Sequence, residues 1–124
     1  MDMLHGADID DRGLRDVYGR FPSGVVAVCA LDDQQPIGMA VSAFVAVSLD
    51  PPLVSVCIQN SSTTWPLLQT KARLGLSFLG ESHNRVARQL SLKAAERFDG
   101  VTWLSGDSGA VFVADAAAWL ECSV

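Results

Sequence analysis

Apolar positions recur along this chain at two different periods. Near the start, Leu14, Val17, Tyr18 and Phe21 fall at helical spacing, with Arg12, Arg15 and Asp16 turned to the other side. Asp10 or Asp11 can cap that turn, and Pro22-Ser23-Gly24 ends it, so a short amphipathic helix is predicted. From Val25 onward the pattern changes to short extended runs. Val25 to Leu31 reads as a buried strand, and Asp32-Asp33-Gln34-Gln35 as a polar hairpin connection. Segments 37–43 and 44–49 continue as strands, weakened at Gly38. Asp50-Pro51-Pro52 is a hard stop, because two prolines remove two donors.

Beyond it, 53–58 is the next strand, followed by the polar run Gln59-Asn60-Ser61-Ser62-Thr63-Thr64. Trp65, Leu67 and Leu68 suggest a short helix with Pro66 in its first turn. Residues 73–79 alternate, with Leu74, Leu76 and Phe78 on one face and Gly75, Ser77 and Leu79 on the other. A helix is expected over 82–90, brief strands at 101–104 and 110–113, and a longer strand over 116–124. Six to eight short strands with two or three small helices predict a mainly β, antiparallel barrel with peripheral helices. No long helices separate the strands, which excludes a doubly wound parallel sheet. Residues 1–10 read as a flexible N-terminal arm and 11–124 as one domain.

Length and composition agree with that picture. A chain of 124 residues with 49% hydrophobic and 19% charged residues supports one core and excludes a disordered chain. No apolar run reaches the roughly 18 residues of a membrane span, and the first residues, with four aspartates, lack the apolar stretch of a secretory signal. A cytoplasmic protein is expected. The net charge of −5 argues against a general nucleic-acid binder. Cys29, Cys57 and Cys122 have no C-x-x-C spacing and read as reduced thiols, while His5 and His83 have no ligand-spaced partners, so no metal site is expected.

Four features carry candidate chemistry. Gly106-Asp107-Ser108-Gly109-Ala110 looks like a serine nucleophile motif, yet the histidines stand in a loose arm and on an Arg-flanked helix face; a turn between strands explains it better. Arg85, Arg88, Lys93 and Arg97 cluster within thirteen residues, which by charge pattern alone is a solvated helix face. The hydroxyls of residues 61–64 precede a helix start, where backbone N–H groups favour an anion, although a plain cap and turn uses the same residues. Neither a G-x-G-x-x-G nor a P-loop pattern is present, and Met39-Ala40-Val41-Ser42-Ala43 is a small-residue stretch that either admits a flat ligand or packs on a neighbouring strand.

Taken in order, several segments resemble the flavin reductase-like, FMN-binding split-barrel family. They are Arg20-Phe21-Pro22-Ser23-Gly24-Val25, Gly38 to Phe44, Val47-Ser48-Leu49-Asp50-Pro51-Pro52-Leu53-Val54, Ser61 to Pro66, Lys93 with Arg97-Phe98-Asp99-Gly100-Val101, and Ala118-Trp119-Leu120-Glu121-Cys122. The resemblance spans about residues 11–124. It implies an antiparallel split barrel that binds FMN or FAD and uses NADH or NADPH to reduce it, supplying a partner monooxygenase.

The resemblance also implies roles for positions. Met39, Ala40, Val41 and Ser42 would lie along the flavin ring edge, and Asn60, Ser61, Ser62 and Thr64 would hold the ribityl chain and phosphate. Arg88 and Ser91 would add phosphate contacts; Pro22, Ser23 and Gly24 would border the nicotinamide. No acid, base or nucleophile is required, because the cofactor carries the chemistry. A homodimer is implied, without nucleic-acid or membrane partners. The family usually has Thr-Ala at Ala40-Val41 and serine at Leu92, and it continues beyond Val124 with a G-D-H-x-[IF]-x-x-G-x-V pattern. The resemblance therefore implies a fragment, or a barrel incomplete at its C-terminus whose open strand edge needs a partner. A flavin-binding domain without turnover and an interaction subunit are the alternatives.

Overall fold

The computed structural model describes residues 2–6, 25–41, 44–80, 84–92 and 96–124. The helix expected before residue 22 lies outside them. The elements, in chain order, are β1 (Asp2–Gly6), β2 (Val25–Asp32), β3 (Gln35–Val41), β4 (Phe44–Leu49), β5 (Pro52–Val56), α1 (Trp65–Leu68), β6 (Leu74–Leu79), α2 (Asn84–Gln89), β7 (Trp103–Ser105), β8 (Val111–Val113) and β9 (Ala118–Ser123). Seven strands form one sheet in the order β3-β2-β6-β9-β1-β5-β4, while β7 and β8 form a separate hairpin. Every pairing among the described strands is antiparallel, and the short links of β2–β3, β4–β5 and β7–β8 require it there.

Chain connectivity forces this sheet to curl. β3 and β4 are its two edges, yet β3 ends at Val41 and β4 begins at Phe44. Three Cα–Cα steps of about 3.8 Å hold those residues within roughly 11 Å of each other. A flat sheet of seven strands would separate its edges by nearly 30 Å, at about 4.8 Å per strand. The edges therefore meet along a seam, and Phe44 of one edge packs edge-to-face on Phe78 of β6, ring centroids 5.1 Å apart.

The strands carry two-sided burial. On β2, Val26, Val28 and Ala30 face the barrel interior, joined there by Leu74, Leu76 and Phe78 of β6; Trp65 and Leu68 of α1 belong to the same cluster. Ala27 and Cys29 face outward, where Leu90, Val111 and Val113 cover them. The second face of β6, with Gly75, Ser77 and Leu79, is buried as fully as the first. Gly75 and Ser77 seat the β7–β8 hairpin, with the Val113 N–H donating to Ser77 Oγ at 2.8 Å. A Cβ on Gly75 would stand 2.1 Å from the Val111 carbonyl oxygen, so only glycine lets β8 cross there.

Turns differ from the sequence reading in detail. The β2–β3 connection is two residues, Asp33 and Gln34, both at positive φ (52° and 67°), a turn whose twist matches the flanking strands. Pro52 does not end pairing but opens β5 opposite Leu49, where a missing N–H costs least. Asp2–Gly6, where the sequence reading puts an arm, pairs as β1 with both β5 and β9. Among the described residues no helix is long and apolar enough to cross a membrane.

Candidate functional site

The barrel seam opens into a cavity of about 680 Å³. One wall is the last turn of β3, Met39, Ala40 and Val41; the opposite wall is the stretch after β5, Cys57 to Gln59, continuing through Ser61, Ser62 and Thr63. Leu90 and Ser91, at the end of α2, and Arg97 complete it. β3 pairs with β2 alone, so its other edge faces the seam. Residues two apart on a strand present their N–H and C=O to the same side. Since the Gly38 carbonyl points away from β2 to Arg97, the backbone groups of Ala40 point the same way, toward the cavity.

The hydroxyl run folds into a compact turn. The Ser62 N–H donates to the Gln59 carbonyl at 3.0 Å, and the Thr64 carbonyl accepts from Leu67 and Leu68 to start α1. The Ser62 hydroxyl caps that helix, accepting from the Trp65 N–H at 3.1 Å, and lies 3.9 Å from Met39 Sδ across the cavity. Thr64 is buried, its Oγ1 accepting from Arg97 Nη1 at 2.7 Å. Arg97 also donates from Nη1 to the Gly38 carbonyl (2.8 Å) and from Nε to the Leu92 carbonyl (2.6 Å).

A second, more apolar cavity of about 500 Å³ adjoins the first, sharing Ala40, Val41 and Ser91 and adding Val25, Ala87, Arg88 and Leu92. Arg88 is exposed in the last turn of α2, and Ser91 Oγ donates to the Ala87 carbonyl at 3.0 Å. Of the residues singled out in the sequence, Met39, Ala40, Val41, Ser61, Ser62 and Ser91 line the larger cavity and Arg88 the smaller. Asn60 is exposed and lines neither, and Thr64 is turned inward to Arg97. Ser42, Pro22, Ser23 and Gly24 lie outside the described residues. Lining residues that the sequence reading does not single out for the ligand are Cys57, Ile58, Gln59, Leu90 and Arg97; Arg97 stands within the basic cluster and Thr63 within the hydroxyl run, which are the available signals.

The remaining candidates fall elsewhere. Ser108 lies on the loop before β8, its Oγ donating to Glu121 Oε1 at 2.8 Å, and Gly109 takes a positive φ of 87°, so the segment is a turn. Burial pushes the Cys29 thiol up to about 12, and burial with the neighbouring Glu121 carboxylate does the same for Cys122. Both are inert packing groups, whereas Cys57 is exposed at the cavity. Among the described residues no cluster of three metal-ligating side chains occurs.

Comparison with known proteins gives this arrangement its relatives. A profile of the flavin reductase-like domain matches residues 18–124. A probable flavin reductase of Rhizobium meliloti is 38% identical over 116 residues, covering 93% of this chain and 37% of that protein. The reductase subunit HsaB of a flavin-dependent monooxygenase from Mycobacterium tuberculosis is 30% identical, covering 95% of this chain and 63% of that one. The chain thus spans between about a third and two thirds of the length of these relatives. Among solved structures, the NADH:FAD oxidoreductase SgcE6 of Streptomyces globisporus, in complex with NAD and FAD fragments, superposes with a TM-score of 0.74 at 34% identity, over 95% of this chain and 74% of that one. The antiparallel split barrel implied by the sequence is the fold these comparisons support, and the chain belongs to the flavin reductase-like domain family.

Proposed function

We propose that this chain is an NAD(P)H:flavin oxidoreductase that reduces FMN or FAD and hands the product to a partner monooxygenase. The observation that carries the reading is the seam cavity, where the small-residue edge of β3 faces a run of hydroxyls beside a guanidinium. The donor set fits a flavin. Ala40 and Val41 let a planar ring approach the strand, whose backbone groups are aimed at the seam. Ser61, Ser62, Thr63 and Ser91 match a polyhydroxyl chain, and the exposed cation Arg88 suits its phosphate end.

When bound, the flavin supplies a hydride acceptor for the nicotinamide. The chain's own residues bind, orient and exclude water. β3 fixes the ring plane, the 61–63 turn fixes the ribityl end, and Leu90 with Ile58 keeps the wall dry. Ser42 would extend the ring contacts, with Pro22, Ser23 and Gly24 bordering the nicotinamide. The HsaB relative, a reductase subunit, supports a monooxygenase partner, and the SgcE6 complex supports NADH and FAD as ligands. A homodimer is part of the same reading.

The test is NADH oxidation by the purified full chain with and without added FMN or FAD, alongside flavin fluorescence quenching. Flavin-dependent oxidation is the expected result. Absence of flavin binding at micromolar concentrations would sink the reading, and binding without oxidation would restrict the chain to a binding role.

A further inference from the structure

We infer that Arg97 is a positioning residue of the site: its guanidinium ties three chain segments together and so sets the spacing between the β3 edge and the 61–64 turn. The inference rests on the flavin reading for the identity of the ligand, but the clamp itself is made by contacts within the chain. The three acceptors come from distant parts of the chain. Gly38 lies on β3, Thr64 at the entry to α1, and Leu92 beyond the end of α2. Each of these segments contributes a wall of one of the two adjoining cavities.

The neighbouring side chain strengthens the clamp. Phe98 packs in the outer cluster, and a Cβ on Gly38 would lie 3.1 Å from its ring. Arg97 and Phe98 therefore dock on Gly38 as a pair, one through the carbonyl and one through the bare Cα. Across the cavity, the contact between β3 and the turn is the long one from Ser62 Oγ to Met39 Sδ at 3.9 Å, a weak link.

The chemistry of the group argues for alignment over direct charge. A guanidinium offers five N–H donors in a rigid planar fork. Both hydrogens of Nη1 and the single one of Nε are directed at protein acceptors, so three of the five serve the walls. A lysine would keep the charge but offers one compact ammonium on a flexible stem, unable to hold three acceptors in one plane. Thr64, whose hydroxyl the family resemblance assigns to the ligand, then acts through Arg97: it receives the clamp on its buried side while its carbonyl starts α1.

The experiment uses the full chain with Arg97→Lys, Arg97→Met and Thr64→Val, and reads two quantities. The first, in flavin-free protein, is amide hydrogen exchange of the segment 61–68. Arg97→Lys and Thr64→Val should each speed exchange there by about tenfold or more, while exchange in β6 and β9 stays unchanged. The second is the affinity for riboflavin and for FMN, which differ only by the phosphate. A lost clamp weakens both ligands by a similar factor, about tenfold, in the lysine and the methionine variants alike. Two results would overturn the inference: rescue of FMN affinity by Arg97→Lys, or loss of FMN affinity with riboflavin affinity retained, since both describe a cation that binds phosphate directly. Unchanged exchange in Thr64→Val would do the same. If the wild-type chain binds neither flavin, the proposed function fails while the exchange measurement still decides the clamp.

Discussion

Gly38→Ala tests how tightly the site's backbone is packed against the core beneath it. A Cβ at this position would lie 2.5 Å from Cys29 Sγ, 3.0 Å from the Val28 carbonyl oxygen and 3.1 Å from the Phe98 ring. Sulfur must retreat by roughly 0.9 Å to reach ordinary van der Waals contact, but Cys29 is fully buried among Leu79, Leu90 and Val111 and has nowhere to go. Overpacking of this kind costs about 1–3 kcal/mol, partly offset by the roughly 0.5–1 kcal/mol that alanine saves in unfolded-chain entropy. A net loss near 1–2 kcal/mol lowers the midpoint of a domain this size by about 4–8 °C. Thermal melts followed by circular dichroism measure it, with Gly106→Ala as control, because a Cβ there meets nothing within 4 Å. The cause is isolated by the double variant Cys29→Ala/Gly38→Ala. Removing the sulfur gives the new methyl its space, so the double variant should lose about 1 kcal/mol less than the sum of the singles. Strict additivity, or a Gly38→Ala midpoint equal to wild type, would refute the contact as the source.

Three further outcomes follow from other contacts. Ser62→Ala removes the acceptor for the Trp65 N–H and should cost about 1 kcal/mol, whereas Ser61→Ala, at an exposed position, should leave the melting midpoint unchanged yet weaken FMN binding about tenfold; equal midpoints for the two would show that the cap contributes nothing. Gly75→Ala drives a methyl into the β8 backbone and should destabilise more than Gly38→Ala, since Val111 O, C and N all lie within 3.0 Å of it; a melt within 2–3 °C of wild type, roughly the scale of a 0.5 kcal/mol change, would contradict that crossing. The buried Cys29 and Cys122 thiols hold their protons up to about pH 12 when folded and about 9 when unfolded. Their contribution is complete below pH 9 and declines as the pH rises from 9 toward 12. Urea unfolding should therefore show a loss of about 2–3 kcal/mol between pH 8 and pH 10, absent in the Cys29→Ala/Cys122→Ala variant.

How far the sequence foretold this structure depends on which partner each residue needed. The apolar run at 25–31 and the alternation at 73–79 placed β2 and β6 because their inner faces bury against each other and both signals are local. The outer face of β6 was harder. Gly75 and Ser77 look like a half-exposed side, yet they form a seat for β8, thirty-six residues away. In the site, Met39 to Val41 and Ser61 to Ser62 were readable as small and hydroxylic residues near strand ends. What could not be read is which hydroxyl faces the cavity. Ser61, Ser62 and Thr63 do; Thr64 turns inward to a guanidinium beyond α2. Arg97 was visible as one of four clustered cations, but its acceptors are two carbonyls and a hydroxyl, groups that every segment offers.

The location of the cavity follows from the connectivity that closes the barrel. A two-residue link between edge strands brings β3 and β4 together, and β4 is bulged between Ala46 and Ser48. A bulge twists its strand and interrupts regular pairing. β3 therefore keeps the backbone of Ala40 turned to the seam beside the loop that follows β5. On the five inner strands such groups are consumed by a neighbouring strand; here they face a lined space bounded by hydroxyls. Arg97 takes up the Gly38 carbonyl at one end of this edge, which leaves the last turn of β3 as the length of strand open to a planar ligand. A split in the barrel is thus the condition for the site, and the residues that hold the split at a fixed width decide what it admits.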